Sequence, residues 1–224
     1  MFNAAAFIKL FLKNVRDRIF EPLYNQRSKL LENEIIGSCQ TLLDIGCGPS
    51  SPINKFSSSL QYTVGIDLYK PHVNKSREAK IHCEYKVINA LDIEYYFQPK
   101  SFDCVLAADL IEHLSKEDGL KLIDMMNKIA KNKVIICTPN GFLPQHGYAD
   151  PYSDHLSGWE VEDMSKLGFR ILGINGWKVL RGEVAVIKWR PAFFWEKVSL
   201  LTQILVTKYP KYAFHLLCIK DMKS

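Results

Sequence analysis

Apolar positions along the chain follow two spacings, and the switch between them predicts the elements. Near the start Ile8, Leu12, Val15, Ile19 and Leu23 recur at steps of three and four, with Lys9, Lys13, Arg16 and Asp17 on the other faces. That pattern predicts a helix over 4–36, bent at Pro22 and stopped by Gly37. From Thr41 onward short apolar runs alternate with helical segments. Strands are expected at 41–45, 62–66, 84–88, 102–107 and 133–137, and helices at 51–58, 71–79 and 116–130. The last helix would bury a face of Leu120, Ile123, Met126 and Ile129. Thr138-Pro139-Asn140-Gly141 reads as a turn. A loop over 142–156 follows, then a short helix capped by Ser157 or Gly158 and ended at Gly168. Strands at 169–174 and 213–219 complete the pattern. Such alternation means an α/β fold, a parallel sheet with helices on both faces, whose ligands sit beyond the carboxyl ends of the strands.

The segment 175–212 fits this rhythm least. It holds Trp177, Trp189, Phe193, Phe194 and Trp195, then a helical run with Val198, Leu201, Ile204 and Leu205. Lys178, Arg181, Lys188, Arg190, Lys197, Lys208 and Lys211 stand against Glu183 and Glu196. It reads as an insertion that serves as extra core, a substrate lid, a dimer face or a docking surface for an acidic membrane. The N-terminal helix, with basic residues among Phe7, Phe11 and Phe20, offers a helical cap or a second peripheral membrane contact.

Composition narrows this picture modestly. A chain of 224 residues with 47% hydrophobic and 24% charged residues is economically one globular domain, spanning 1–224, with the cap at 1–37. A net charge of +5 is too small and too dispersed to imply a nucleic-acid partner. The cysteines form no CxxC pair, and Cys104 and Cys137 lie in apolar strand-like runs, which points to a reducing, cytoplasmic compartment. No apolar run approaches the ~18 residues of a membrane span.

The chemistry centres on Leu42-Leu43-Asp44-Ile45-Gly46-Cys47-Gly48-Pro49-Ser50-Ser51. An apolar strand ends beside an acid and then turns on two glycines, as a backbone must where it passes under a cofactor. Further acids close the following strands. Asp67 stands 19 residues after Gly48, where a carboxylate accepts from both hydroxyls of a ribose. Asp92, beside Ile93, is placed to accept from an adenine amine, and Asp109 follows the fourth strand. A nicotinamide-binding fold would also place an acid at Asp67, but its third glycine would fall at Ser51.

The order LLDIGCGPSS, VGIDLY, NALDI, SFDCVLAADLIEHL and VIICTPNG resembles the class I S-adenosylmethionine-dependent methyltransferases over about residues 41–141. The resemblance implies a Rossmann-like sheet of seven strands, mostly parallel, with the last antiparallel. It implies S-adenosyl-L-methionine as cofactor, with Gly46, Cys47 and Gly48 behind its methionine and Asp44 orienting that loop and contacting the amino acid end. Asp67 and Leu68 would hold the ribose, Asp92 and Ile93 the adenine, and Asp109 would line the sulfonium. Ser50 departs from the usual third glycine.

Methyl transfer from a sulfonium needs an aligned nucleophile and a water-free site, and a hydroxyl nucleophile is helped by a base. His146 and His155, on the loop bordering the substrate, are the candidate bases, and His113 is more often structural. Asp109-x-x-Glu112-His113 is similar to the spacing in ubiquinone-pathway O-methyltransferases, where it can hold a divalent cation. The Glu-His pair is widespread in relatives without metal, so no metal is assigned on these grounds. Asp150-Pro151-Tyr152 lacks the second proline of the amino-group DNA methyltransferase box, and no Pro-Cys pair supports cytosine chemistry. The expected acceptor is a hydroxyl of a small-molecule, lipid or saccharide substrate. The rival reading is a non-catalytic partner subunit that retains the cofactor fold.

Overall fold

The structure, a computed structural model, describes residues 26–145, 150–182 and 186–222. Of the expected N-terminal helix, 26–35 is helical (α1, Gln26–Ile35), and the stretch before it lies outside the described residues. The strands are β1 (Thr41–Ile45), β2 (Tyr62–Asp67), β3 (Glu84–Val87), β4 (Phe102–Ala108), β5 (Ala130–Pro139), β6 (Arg170–Trp177) and β7 (Ala213–Asp221). They form one seven-stranded sheet in the order β3-β2-β1-β4-β5-β7-β6. Every pairing among β1 to β5 is parallel, and β7 is antiparallel to both β5 and β6. The order reverses between β1 and β4, and that crevice is where a doubly wound sheet opens to a ligand.

The sheet is buried on both faces. Leu43, Ile45, Ile66, Val105 and Ile136 pack with the helix α2 (Lys116–Ile129) and Trp159. On the other face Leu42, Leu106, Ile135 and Leu217 pack with Leu31 and Ile35 of α1, Ile53 and Phe56. Each such Leu or Ile contributes about 1.5–3 kcal/mol on burial.

Four expectations change. The segment after the glycine loop forms two 3₁₀ turns, Pro52–Lys55 and Ser57–Ser59, in place of one helix. Leu120 is 43% exposed, and the buried face of α2 is Gly119, Leu122, Ile123, Met125, Met126 and Ile129. Thr138 and Pro139 are strand, not turn, because β7 extends the pairing to Thr138↔Leu216 and Pro139↔His215. The short helix α3 (Val161–Lys166) is capped by Glu160, whose side chain and that of Asp163 form a reciprocal capping box. Ser157 is engaged elsewhere: its hydroxyl donates to the Ile111 carbonyl. The insertion carries one long helix, α4 (Ala192–Lys208), against β6.

Candidate active site

The turn after β1 takes left-handed angles at Gly46 (φ 67°) and Gly48 (φ 58°). A Cβ on Gly46 would lie 2.9 Å from Leu110 Cδ1, so only glycine lets this loop meet the one after β4. The Cys47 amide donates to the Ile66 carbonyl and the Gly48 amide to Asp67 Oδ2, both at 2.9 Å. Asp67 Oδ1 accepts from the Tyr69 amide at 2.8 Å. Each carboxylate oxygen thus holds one amide and keeps a lone pair for a ligand. Burial raises the Asp67 pKa, opposed by those two amides.

These pieces wall a cavity of about 610 Å³ at the carboxyl ends of β1, β2 and β4. Gly46, Cys47, Gly48, Asp67, Leu68 and Asp109 line it, as the sequence suggested. So do Ile88, Asn89, Ala90, His113 and the segment 150–154. Two expected contacts lie elsewhere. Asp92 is exposed and absent from the lining, because Asn89 caps a tight turn (its Oδ1 accepts from the Leu91 amide at 3.0 Å) that carries Asp92 away. Ile93 is fully buried in the core. His146 lies outside the described residues.

Asp44 is 1% exposed and sits behind the loop rather than in the cavity wall. Its Oδ2 bonds His82 Nε2 at 2.9 Å, and Oδ1 is buried without a partner. His82 carried no signal of its own, but Gly65 within a strand did, since such a glycine marks a close approach. A Cβ there would lie 2.7 Å from His82 Nδ1.

Asp109 adopts φ 55° and pairs through Oδ2 with Arg27 Nη1 at 2.7 Å. Burial works against ionisation of Asp109, but Arg27 outweighs it and the carboxyl stays below its usual range. Arg27 also leaves Nε and Nη2 buried without partners. Sequence periodicity had put nothing special at Arg27, a polar position on an amphipathic helix. His215, 4.0 Å from Asp109 Oδ1, is pushed down to about 4 by burial despite that carboxylate.

A second group forms where the loop after β5 returns to the cavity. The Leu156 and Ser157 amides donate to the Glu112 carbonyl at 2.7 and 3.1 Å, and Trp159 Nε1 donates to Ser157 Oγ at 3.0 Å. This fastening brings His155 against the turn Ile111–His113. Among the described residues, Glu112, His113 and His155 form a set of potential metal ligands, one atom of each within 4.8 Å of the others. His113 Nδ1 faces the Asp154 carbonyl at 3.1 Å and His155 Nδ1 the Leu143 carbonyl. A carbonyl only accepts, so both rings carry the proton on Nδ1 and the lone pair on Nε2, as metal-ligating histidines do. Glu112 Oε2 accepts from Thr138 Oγ1 at 3.0 Å, and burial, then repulsion by Asp109, pushes its carboxyl up to about 8. Asp109, the other acid of the motif, is held by Arg27 instead.

A protein-family profile described as "Methyltransferase domain" matches residues 43–138, the stretch that builds this cavity. That match supports the resemblance of residues 41–141 to the class I S-adenosylmethionine-dependent methyltransferases. The fold is similar to that of an S-adenosylmethionine-dependent methyltransferase from Archaeoglobus fulgidus, with 19% identity, 93% of this chain and 99% of that chain covered, and a TM-score of 0.58. Phosphoethanolamine N-methyltransferase 2 from Haemonchus contortus is also similar, at 20% identity, 89% and 52% coverage, and a TM-score of 0.55. A curated relative, a small RNA 2'-O-methyltransferase of Tetrahymena thermophila, is 25% identical over 169 residues. The match takes in 64% of this chain and about two-fifths (40%) of that relative's length. The residues present fit S-adenosylmethionine. Space lies open where a Gly48 Cβ would stand, Asp67 offers paired lone pairs, and the cavity is of ordinary ligand size.

Proposed function

We propose that this chain transfers a methyl group from S-adenosylmethionine to a hydroxyl group of a small-molecule, lipid or saccharide acceptor, and that Glu112, His113 and His155 prepare that hydroxyl. The set of one carboxylate and two tautomer-fixed imidazoles beside Asp109 carries the reading. Its donor chemistry suits a divalent transition metal. Such a cation, when bound, lowers the pKa of a coordinated hydroxyl. This assigns His155 a ligand role in place of the base role expected from its loop.

In the same reading Asp67 takes the ribose hydroxyls of S-adenosylmethionine, and Ile88 to Ala90 flank the adenine. Gly46 to Gly48 back the methionine, with Asp44 and His82 bracing them from behind. Asp109, held by Arg27, borders the sulfonium. The cofactor supplies the leaving group, so the protein's task is to align the acceptor oxygen in line with the methyl and to exclude water. The 150–156 segment, fastened through Trp159, forms the wall that does so. A cytoplasmic location belongs to this reading, supported by the burial of Cys39, Cys47, Cys104, Cys137 and Cys218 as free thiols.

A second reading has the same atom as acceptor in a different molecule. The Tetrahymena relative's name specifies a 2'-hydroxyl of small RNA, which runs against the expectation of no nucleic acid. The test is transfer of labelled methyl from S-adenosylmethionine into separated lipid, saccharide, small-metabolite and RNA fractions. Label is expected on oxygen in one of the first three. Label in RNA would favour the second reading, and label on nitrogen, sulfur or carbon would overturn the hydroxyl assignment.

A further inference from the structure

The helix α4 buries two polar residues, Ser199 and Gln203, beside Leu200 and Val206, and both polar side chains are committed to the protein. Gln203 Nε2 donates to the Gly173 carbonyl at 2.8 Å and its Oε1 accepts from the Gly176 amide at 2.9 Å. Ser199 Oγ accepts from Arg181 Nε at 3.2 Å, and Thr202 Oγ1 accepts from the Trp177 amide at 3.0 Å. The outward side is apolar: Phe193 is 71% exposed, Ile204 65% and Leu205 63%. Trp177, Leu205, Tyr209 and Tyr212 also rim an almost wholly apolar groove of about 420 Å³. A helix that gives part of its buried side to polar groups and leaves this much apolar surface outside is arranged to meet something beyond the chain.

We propose that this face docks on an anionic lipid bilayer. Lys178, Lys188, Arg190, Lys208 and Lys211 are exposed around it, and the exposed acid on the helix is Glu196. Cations beside an aromatic and aliphatic face are the pattern of a segment lying in the headgroup layer of an acidic membrane. Trp177, Trp189 and Tyr209, each partly exposed, suit the same depth. A second copy of the chain would bring the same cations into contact and repel. The N-terminal stretch 1–25 would too, with Lys9, Lys13, Arg16 and Arg18 against Asp17 and Glu21. No helix among the described residues is long and apolar enough to cross a membrane, so α4 lies along the surface. Asn140 Nδ2 donates to the Pro210, Lys211 and Ala213 carbonyls, tying the carboxyl end of α4 to the end of β5, the sheet edge that opens to the cofactor. Docking would hold the cavity at the membrane, and the inference stands whichever hydroxyl is methylated.

The full chain is tested by co-sedimentation with phosphatidylcholine vesicles containing ~30% phosphatidylserine, and with phosphatidylcholine alone, at about 0.1 M salt. Wild type is expected to bind the acidic vesicles at least roughly tenfold better. The triple variant Phe193→Ser, Ile204→Ser, Leu205→Ser and the double variant Lys178→Glu, Lys208→Glu are each expected to lose that binding while retaining S-adenosylhomocysteine affinity. Independently of any variant, acidic vesicles should blue-shift wild-type fluorescence, because Trp159 is fully buried while Trp177 and Trp189 are exposed on this face. No sedimentation with acidic vesicles, equal sedimentation with both lipids, or an unshifted spectrum would overturn the proposal. Wild-type binding by the triple variant would place the contact elsewhere, and a dimer that this variant dissolves without any vesicle binding would give the face to a second copy.

Discussion

Glu112→Gln and His155→Asn are each expected to lower methyl transfer by at least about 100-fold, while S-adenosylhomocysteine affinity stays within about twofold. Stripping divalent cations with a chelator should do the same to the wild type, reversibly. Glu112 is 3% exposed and faces a hydroxyl donor, two imidazoles and the Asp109 carboxylate, so its charge lacks a cationic partner beyond Arg27. A buried carboxylate in that position is held either by a proton or by a bound cation. The amide of Gln keeps the Thr138 bond but loses the charge that holds a metal. Bound manganese, measured by elemental analysis, should fall with the same substitutions. Full turnover in excess chelator, with both variants active, would leave the cluster a purely structural fastening.

Trp159→Ala is expected to cost about 3–5 kcal/mol of stability, the range for deleting a buried tryptophan. For a chain of this size that is a fall in Tm of roughly 6–20 °C. Trp159 is fully buried, Lys116 Nζ lies 3.8 Å over its ring, and its Nε1 donates to Ser157 Oγ. Gly119 of α2 is a glycine because a Cβ there would overlap the indole. Thermal unfolding followed by circular dichroism checks the number. Trp159→Phe, which keeps part of the packing and loses the donor, should cost less than Trp159→Ala. The same residue fastens the loop that carries His155, so Trp159→Ala should also weaken metal binding at temperatures where the protein is still folded. Unchanged Tm would show that the loop does not depend on it.

The fold was legible because its evidence is local. Strand and helix spacing, the glycine pair and an acid after each strand all lie within a few residues of one another. Gly46, Gly48 and Asp67 fell where the motif order put them, since a backbone turn and a strand end leave little freedom. Asp92 did not, because a single capping side chain, Asn89, redirected the chain before the acid was reached. The remaining site residues depend on long-range contacts. Arg27 meets Asp109 across 82 positions and His82 meets Asp44 across 38. Neither pairing leaves a periodic trace. His155 was visible as a loop histidine, but its neighbours Glu112 and His113 became apparent only once Ser157 and Trp159 were seen to fasten that loop. The helix α4 was visible as apolar and basic, and the polar anchoring of Ser199 and Gln203 that leaves so much apolar surface outside was not.

Asp67 is the group proposed to hold the cofactor's ribose, and calorimetric titration with S-adenosylhomocysteine tests that role most directly. Wild type is expected to bind, Asp67→Ala to lose at least about tenfold in affinity, equivalent to 1.4 kcal/mol, and Asp92→Ala to bind as the wild type does. Equal affinity of wild type and Asp67→Ala, or a loss at Asp92 as large as that at Asp67, would contradict it.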